Sequence, residues 1–357
     1  MQAGQNGEVV RRCLGALAVM VLVAGLVVPG AVRAQDDSFI RGYTAAVLQR
    51  DFEIPPEAVS VQNGVVSVRA DMSDDDQQRL RTALGAINGV ERIEVIAKQA
   101  PVGGWSFLPR RELFQSLIAD PRWPHFSAAY QYYIGNKQLS SVAAVSFGES
   151  FPLVQYDFGD PGALQLGLQA SVFAIFDLDS ASFDLVNADY FVALPISYAI
   201  GNWSVMGRVL HQSSHLGDEY LLTHNVERIN LSYEAIDVLA SYETDFGLRT
   251  YGGAGYIFDA DPSGLGRWSL QGGLEYLGEP FDIGIPARAV AALDLQLHEE
   301  GGWQPNVSPN VGLQLGNWRG GQRNLRILLQ YFNGDSVNGQ FLDQHIQYIG
   351  LGAQLNI

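Results

Sequence analysis

From residue 126 to Ile357, apolar side chains recur at every second position in stretches of ten to fifteen residues. In 164–177 the even positions are Leu164, Leu166, Leu168, Ala170, Val172, Ala174 and Phe176, while the odd ones include Gln165, Gly167, Gln169, Ser171 and Asp177. A strand turns successive side chains to opposite faces, so this segment has one oily and one polar face. The same period of two runs through 268–276, 287–297 and 349–357. The pattern predicts twelve strands, at 126–135, 139–158 (with a bulge or break), 164–177, 184–200, 203–215, 227–243, 247–258, 266–278, 287–298, 304–318, 324–334 and 345–357. Strands of this length and alternation predict an all-β transmembrane barrel of about twelve antiparallel strands, with both ends on the periplasmic side and the longer connections outside.

Residues 37–97 have a different texture. Helical spacing in 39–52, two short strands across Asn63-Gly64, a helix opened by Ser73 with acids in its first turn, and a strand at 90–96 predict a small α+β unit of order αββαβ. Asn-Gly between alternating apolar residues signals a hairpin, and Ser73 is a suitable N-cap. The text VSVQNGVVSVRADMSDDDQQRLRTALGAINGVERIEVI resembles the BON family of small periplasmic domains. That resemblance implies attachment to phospholipid or another envelope component, so a periplasmic partner is expected through residues 37–97. A plain plug or spacer is the alternative, because fold alone does not fix function.

The first 34 residues read as a secretory leader: Arg11 and Arg12, an apolar run from Leu14 to Val28, then Val32-Arg33-Ala34 as a small-residue cleavage site. The expected organisation is leader 1–34, BON-like periplasmic domain 35–98, linker 99–124 with a short helix at 111–119, and outer-membrane barrel 125–357. The single cysteine, Cys13, would leave with the leader, which excludes a thiolate metal site. A net charge of -16 argues against nucleic acid as a partner. Beyond the leader no segment reaches the length of an apolar spanning helix, so insertion must be by strands. The segments FLPRRELFQSLIADPRWPHF and HQSSHLGDEYL resemble a domain-of-unknown-function family of bacterial outer-membrane proteins, over most of residues 105–357. The resemblance implies the bacterial outer membrane as location, with the N-terminal domain in the periplasm, and no activity.

The inward face is expected to carry Arg208, Asp189, Glu234, Glu275, Arg288, Asp294 and Arg326, opposed charges that would fill a narrow lumen. In the strand at 203–215, Arg208 must face inward, because a mid-strand arginine costs a few kcal/mol against lipid. His211 and Ser213 then face outward, near the outer leaflet. An imidazole beside a hydroxyl can take its proton as the oxygen attacks an ester carbonyl. A third group should fix the ring tautomer, and Asn225 and Glu227 have the matching parity.

This arrangement resembles the outer-membrane phospholipase A family, a twelve-stranded barrel with a His-Gln-Ser triplet on its lipid face and a supporting Asn fourteen residues after the His. His211-Gln212-Ser213 matches the triplet, and Asn225 falls at the family spacing. Asp218 lies in the interval where that family has a calcium-binding acid. The Asn-Gly that follows the family's Ser is replaced by Ser214-His215, and Asn225 lacks the family's following Arg. Glu227-Arg228 offers that pairing two residues later, with Glu orienting the ring as in lipid A deacylases. The resemblance implies a serine ester hydrolase, of phospholipase A or lipid A deacylase type, acting on outer-membrane lipids with calcium as the implied cofactor. The alternative is a non-enzymatic structural or small-solute barrel with a periplasmic lipid- or partner-binding domain. Zinc at His211 and His215 is a further possibility, although about 13 Å separates them along an extended strand.

Overall fold

The structure, a computed structural model, describes residues 34–52, 54, 56–70, 74–85, 87, 89–96, 103–136, 138–224, 226, 228–316 and 324–356. The expected leader, apart from Ala34, lies outside the described residues, as does Ser73. The chain divides into two compact units, Met1–Gln99 and Ala100–Ile357.

The first unit contains helix α1 (Ala34–Phe52), strands β1 (Val59–Gln62) and β2 (Val65–Arg69), helix α2 (Asp74–Gly85) and strand β3 (Arg92–Ile96). β1 and β2 form the expected hairpin across Asn63-Gly64. Both turn residues have positive φ, 49° and 76°, which an Asn-Gly pair accommodates. The Asp37 carboxylate on α1 accepts hydrogen bonds from the Asn63 and Gly64 N–H groups, at 2.7 and 2.9 Å, and ties the helix start to that turn. β3 pairs parallel to β2. Ile40, Leu48, Val66, Val68, Leu80 and Leu84 form the core between helices and sheet.

The second unit is a closed antiparallel barrel of twelve strands. In chain order they are β5 (Phe126–Tyr133), β6 (Ser141–Asp157), β7 (Ala163–Asp177), β8 (Leu185–Ile200), β9 (Trp203–Leu216), β10 (Leu231–Glu243), β11 (Leu248–Asp261), β12 (Trp268–Leu277), β14 (Pro286–His298), β15 (Pro305–Gly316), β16 (Asn324–Asp335) and β17 (His345–Asn356). Each pairs with its neighbours, and β17 closes the cylinder on β5. Two short extra strands, β4 (Gly104–Phe107) and β13 (Phe281–Asp282), lie on β6 and β14. The expected irregularity in β6 is a bulge between Pro152 and Val154. Outward positions are apolar, with Leu194, Ile196, Val209, Leu329 and Leu351 all more than half exposed. Closure pairs the strand backbones with one another and leaves the oily exterior without an open edge, which is what hydrocarbon requires of strands. Among the described residues no helix is long and apolar enough to cross a membrane.

Residues 103–124 are not a linker, and 111–119 form no helix. After β4 the chain turns at Leu108, whose φ is 49° and whose N–H donates to the Leu153 carbonyl, and enters the lumen. There its apolar residues meet two walls. Phe114, Leu117 and Trp123 pack against Met206, Leu239 and Tyr251, while Ile118 and Ala119 pack against Val290, Ala292 and Leu328. Its backbone bonds to side chains of the barrel: Ile118 N–H donates to Glu275 at 2.6 Å, Arg249 donates to the Gln115 carbonyl at 2.9 Å, and Ser308 donates to the Ala119 carbonyl at 2.7 Å. A buried backbone must be paired somewhere, and here the wall replaces the helix ladder. Opposed charges do meet in the lumen, and three of the expected residues pair there with partners outside the expected set: Arg208 with Asp237 (2.9 Å), Glu275 with Arg249 (3.0 Å) and Asp189 with Arg122 of the plug (2.6 Å).

The opposite mouth is narrowed by the β16–β17 connection. Its turn Gly339–Phe341 is buried, Phe341 meets Tyr220 edge to face, and the Gly339 N–H donates to Asp189. Asp189 therefore joins the plug and this loop. One expected inward residue faces out: Glu234 shares the parity of the exposed Ile236 and Val238, and stands opposite His211 in the β9–β10 register.

Candidate functional site

β9 and β10 set the outer-wall site. On β9 the even residues Met206, Arg208, Leu210, Gln212 and Ser214 are buried toward the lumen, so Val209, His211 and Ser213 point outward. His211 lies directly across from Glu234 on β10 and from Val192 on β8. Its Nδ1 is 2.8 Å from Glu234 Oε1, and both side chains are about two-fifths exposed. An ionised carboxylate can only accept, so Nδ1 carries the proton and the neutral ring presents its lone pair at Nε2. That is the tautomer a general base needs.

Ser213 follows two residues later on the same face, level with Ser232 and Tyr190. Among the described residues its hydroxyl has no hydrogen-bond partner, and no bond joins it to His211. Above it, His215 packs edge to face on Tyr190, and Arg228 lies 3.5 Å from His215 Nδ1. Below it are Val209, Val192 and Ile236, all exposed. The trio thus sits where the apolar belt gives way to a polar, aromatic rim.

Asn225 and Glu227, the expected orienting residues, lie outside the described residues, and β10 begins only at Leu231. The acid found at the imidazole is Glu234. Asp218 is the first residue of α3 (Asp218–Thr223) and is exposed beside Glu219. Calcium takes six to eight oxygen ligands. Among the described residues no group of three or more His, Cys, Asp or Glu side chains could hold an ion.

The family model for a protein of unknown function, DUF1207, matches residues 94–357. The chain belongs to the DUF1207 family. This agrees with the expectation that most of 105–357 falls in a family without assigned activity, and the DUF1207 match begins at Glu94, within β3. No match is found among curated proteins. Among solved structures, outer membrane phospholipase A from Escherichia coli shares 13% identity with this DUF1207 chain over 66% of it and 91% of the enzyme, at a TM-score of 0.48. The Salmonella typhi outer membrane phospholipase dimer with bound calcium shares 15%, over 66% and 91%, at 0.46. OmpT, an outer membrane protein of Vibrio cholerae, shares 10%, over 68% and 99%, at 0.28. These are likenesses of barrel shape.

Proposed function

We propose that this protein is an outer-membrane barrel that hydrolyses lipid acyl esters at its outer wall. Ser213 is the nucleophile, His211 the general base, and Glu234 the residue that orients the ring, in place of Asn225 or Glu227. The Ser213 oxygen bonds to the ester carbonyl carbon while its proton passes to His211 Nε2. The alkoxide leaves with that proton, and water then cleaves the acyl-serine by the same route in reverse. The single observation that supports this reading is the 2.8 Å His211–Glu234 pair on an otherwise apolar face, with Ser213 beside it. A Ser213 hydroxyl on the same face but unbonded is compatible with it, since catalytic hydrogen bonds often tighten only with substrate bound.

The test is release of fatty acid from phospholipid and from lipid A by the purified full chain, beside Ser213→Ala. Hydrolysis lost in the variant supports the reading, and equal rates, or no hydrolysis by the parent protein, remove it.

A second reading is favoured by the filled lumen and the unbonded serine: a structural barrel without catalysis. On either reading the first unit serves as a BON-like periplasmic docking element. Removing residues 35–98 is then expected to leave barrel folding unchanged and to abolish only association with an envelope partner.

A further inference from the structure

At the upper edge of the outer wall, beyond Ser213, a group of hydrogen-bond donors faces the same membrane. His215 on β9 and Tyr190 on β8 are exposed there, ring edge against ring face, with Tyr190 directly across from Ser213. Arg228, exposed where the chain returns toward β10, brings its Nη2 to 3.5 Å from His215 Nδ1. A guanidinium can only donate, so Nδ1 accepts and the imidazole proton sits on Nε2. The rest of the guanidinium, the imidazole N–H and the phenol together offer donors around one point of the rim.

The sign of this group is opposite to that of its surroundings. Connections at this end of the barrel carry Asp179, Asp184, Asp261, Glu299, Glu300 and Asp343, in a chain of net charge -16. Arg267, at the same end, is engaged by the Ile257 and Phe258 carbonyls. Arg228 has no carboxylate partner among the described residues. Glu234 is held by His211, four residues and about 13 Å down the strand from His215. Asp261 accepts from Asn230 at 2.6 Å, and Asp218 and Glu219 open α3, whose Tyr220 packs on Phe341 at the mouth. Glu227 lies outside the described residues.

Below the group Val192, Val209 and Ile236 present an apolar wall. A cation over such a wall fits an amphiphile with an anionic head, its acyl chains along the belt and its phosphate at the rim. Guanidinium matches phosphate oxygens in a bidentate fork. His215 stands two residues above Ser213, about 7 Å along the strand. A glycerol backbone is a spacer of the kind that joins a phosphate at one level to an acyl ester at the other.

We propose that Arg228 and His215, with Tyr190 beside them, bind the phosphate of an anionic lipid in the leaflet that meets this rim. Binding needs no hydrolysis; only the further assignment, that such a phospholipid is what Ser213 cleaves, rests on the reading above. The test is native mass spectrometry of the full chain in neutral detergent, titrated with phosphatidic acid or with diacylglycerol of the same acyl chains. Carrying Ser213→Ala throughout keeps either probe from being consumed. Saturable binding of phosphatidic acid, at least about tenfold tighter than diacylglycerol, is expected. Arg228→Gln and His215→Gln should each weaken it at least about fivefold, and added salt should weaken it as well. Arg110→Gln, which removes an exposed charge after β4, should leave it unchanged. Equal affinity for the two lipids, unchanged affinity in Arg228→Gln, or an equal loss in Arg110→Gln would overturn the proposal. The expected pattern supports the site even where the parent protein releases no fatty acid, so the two readings fall separately.

Discussion

At the scale of single residues, the outcome at the outer wall turns on one position. Glu234 has the parity of Ile236, Val238 and Tyr242, so its outward direction was written in the same alternation that located the strand. Its meeting with His211 was not, because it depends on how far β10 slides along β9. That register aligns Tyr242 with Trp203 and brings Glu234 level with the imidazole. If the trio is catalytic, His211→Ala is expected to lower kcat by about 10²–10⁴-fold, whereas Glu234→Gln, which keeps an acceptor but loses the charge, lowers it by at least about 10-fold with KM unchanged. A pH effect belongs to a different residue. Asp179, in the β7–β8 connection, accepts from the Ser140 hydroxyl at 2.5 Å and the Ser141 N–H at 2.9 Å, which hold its carboxyl below the ordinary 3.8. A depressed acid adds stability at pH above its unfolded value, and the contribution is lost as pH falls through the folded one. Amide exchange in 178–184 should therefore accelerate below about pH 4 in the parent protein. In Asp179→Asn it should be fast and pH-independent once the intrinsic chemistry is divided out.

At the scale of elements, the strands were legible and the plug was not. Observed ends of the twelve barrel strands lie within a few residues of the expected ones, because alternation against lipid tolerates few exceptions. Phe114, Leu117 and Ile118 have the three-and-four spacing of an amphipathic helix, which made 111–119 read as one. In the folded chain that spacing serves two opposing walls, and Gln165, Glu275, Arg249 and Ser308 offer the backbone partners that a helix would have supplied from within. Local pattern cannot reveal partners that lie 52 to 189 residues away. Trp123 is fully buried in this plug, stacked near Phe114 and 5.0 Å from the Arg208 guanidinium. Trp123→Ala is expected to lower stability by about 3–5 kcal/mol, measured by urea unfolding in detergent, and to leave the strand content of the circular dichroism spectrum unchanged.

At the scale of the whole molecule, the cylinder is sealed at two levels. Residues 109–124 occupy one part of the lumen and the Gly339–Phe341 turn another, and Asp189 holds both through Arg122 and the Gly339 N–H. The parent protein should accordingly be nearly silent in planar bilayers. Deleting 109–124 should raise single-channel conductance to that of an open narrow barrel, and a large conductance in the parent protein would contradict the packing described above.

The order of synthesis gives that plug a second consequence. Phe114, Leu117 and Trp123 emerge before any strand of the cylinder exists, whereas β17, the last to emerge, must find β5, the first. The side chains they eventually touch come from β9, β10 and β11 on one side, and Ile118 reaches β14 and β16 on the other. The plug is thus a mandrel within the finished barrel: one short apolar segment touches strands from both halves of a long ribbon whose two distant edges meet.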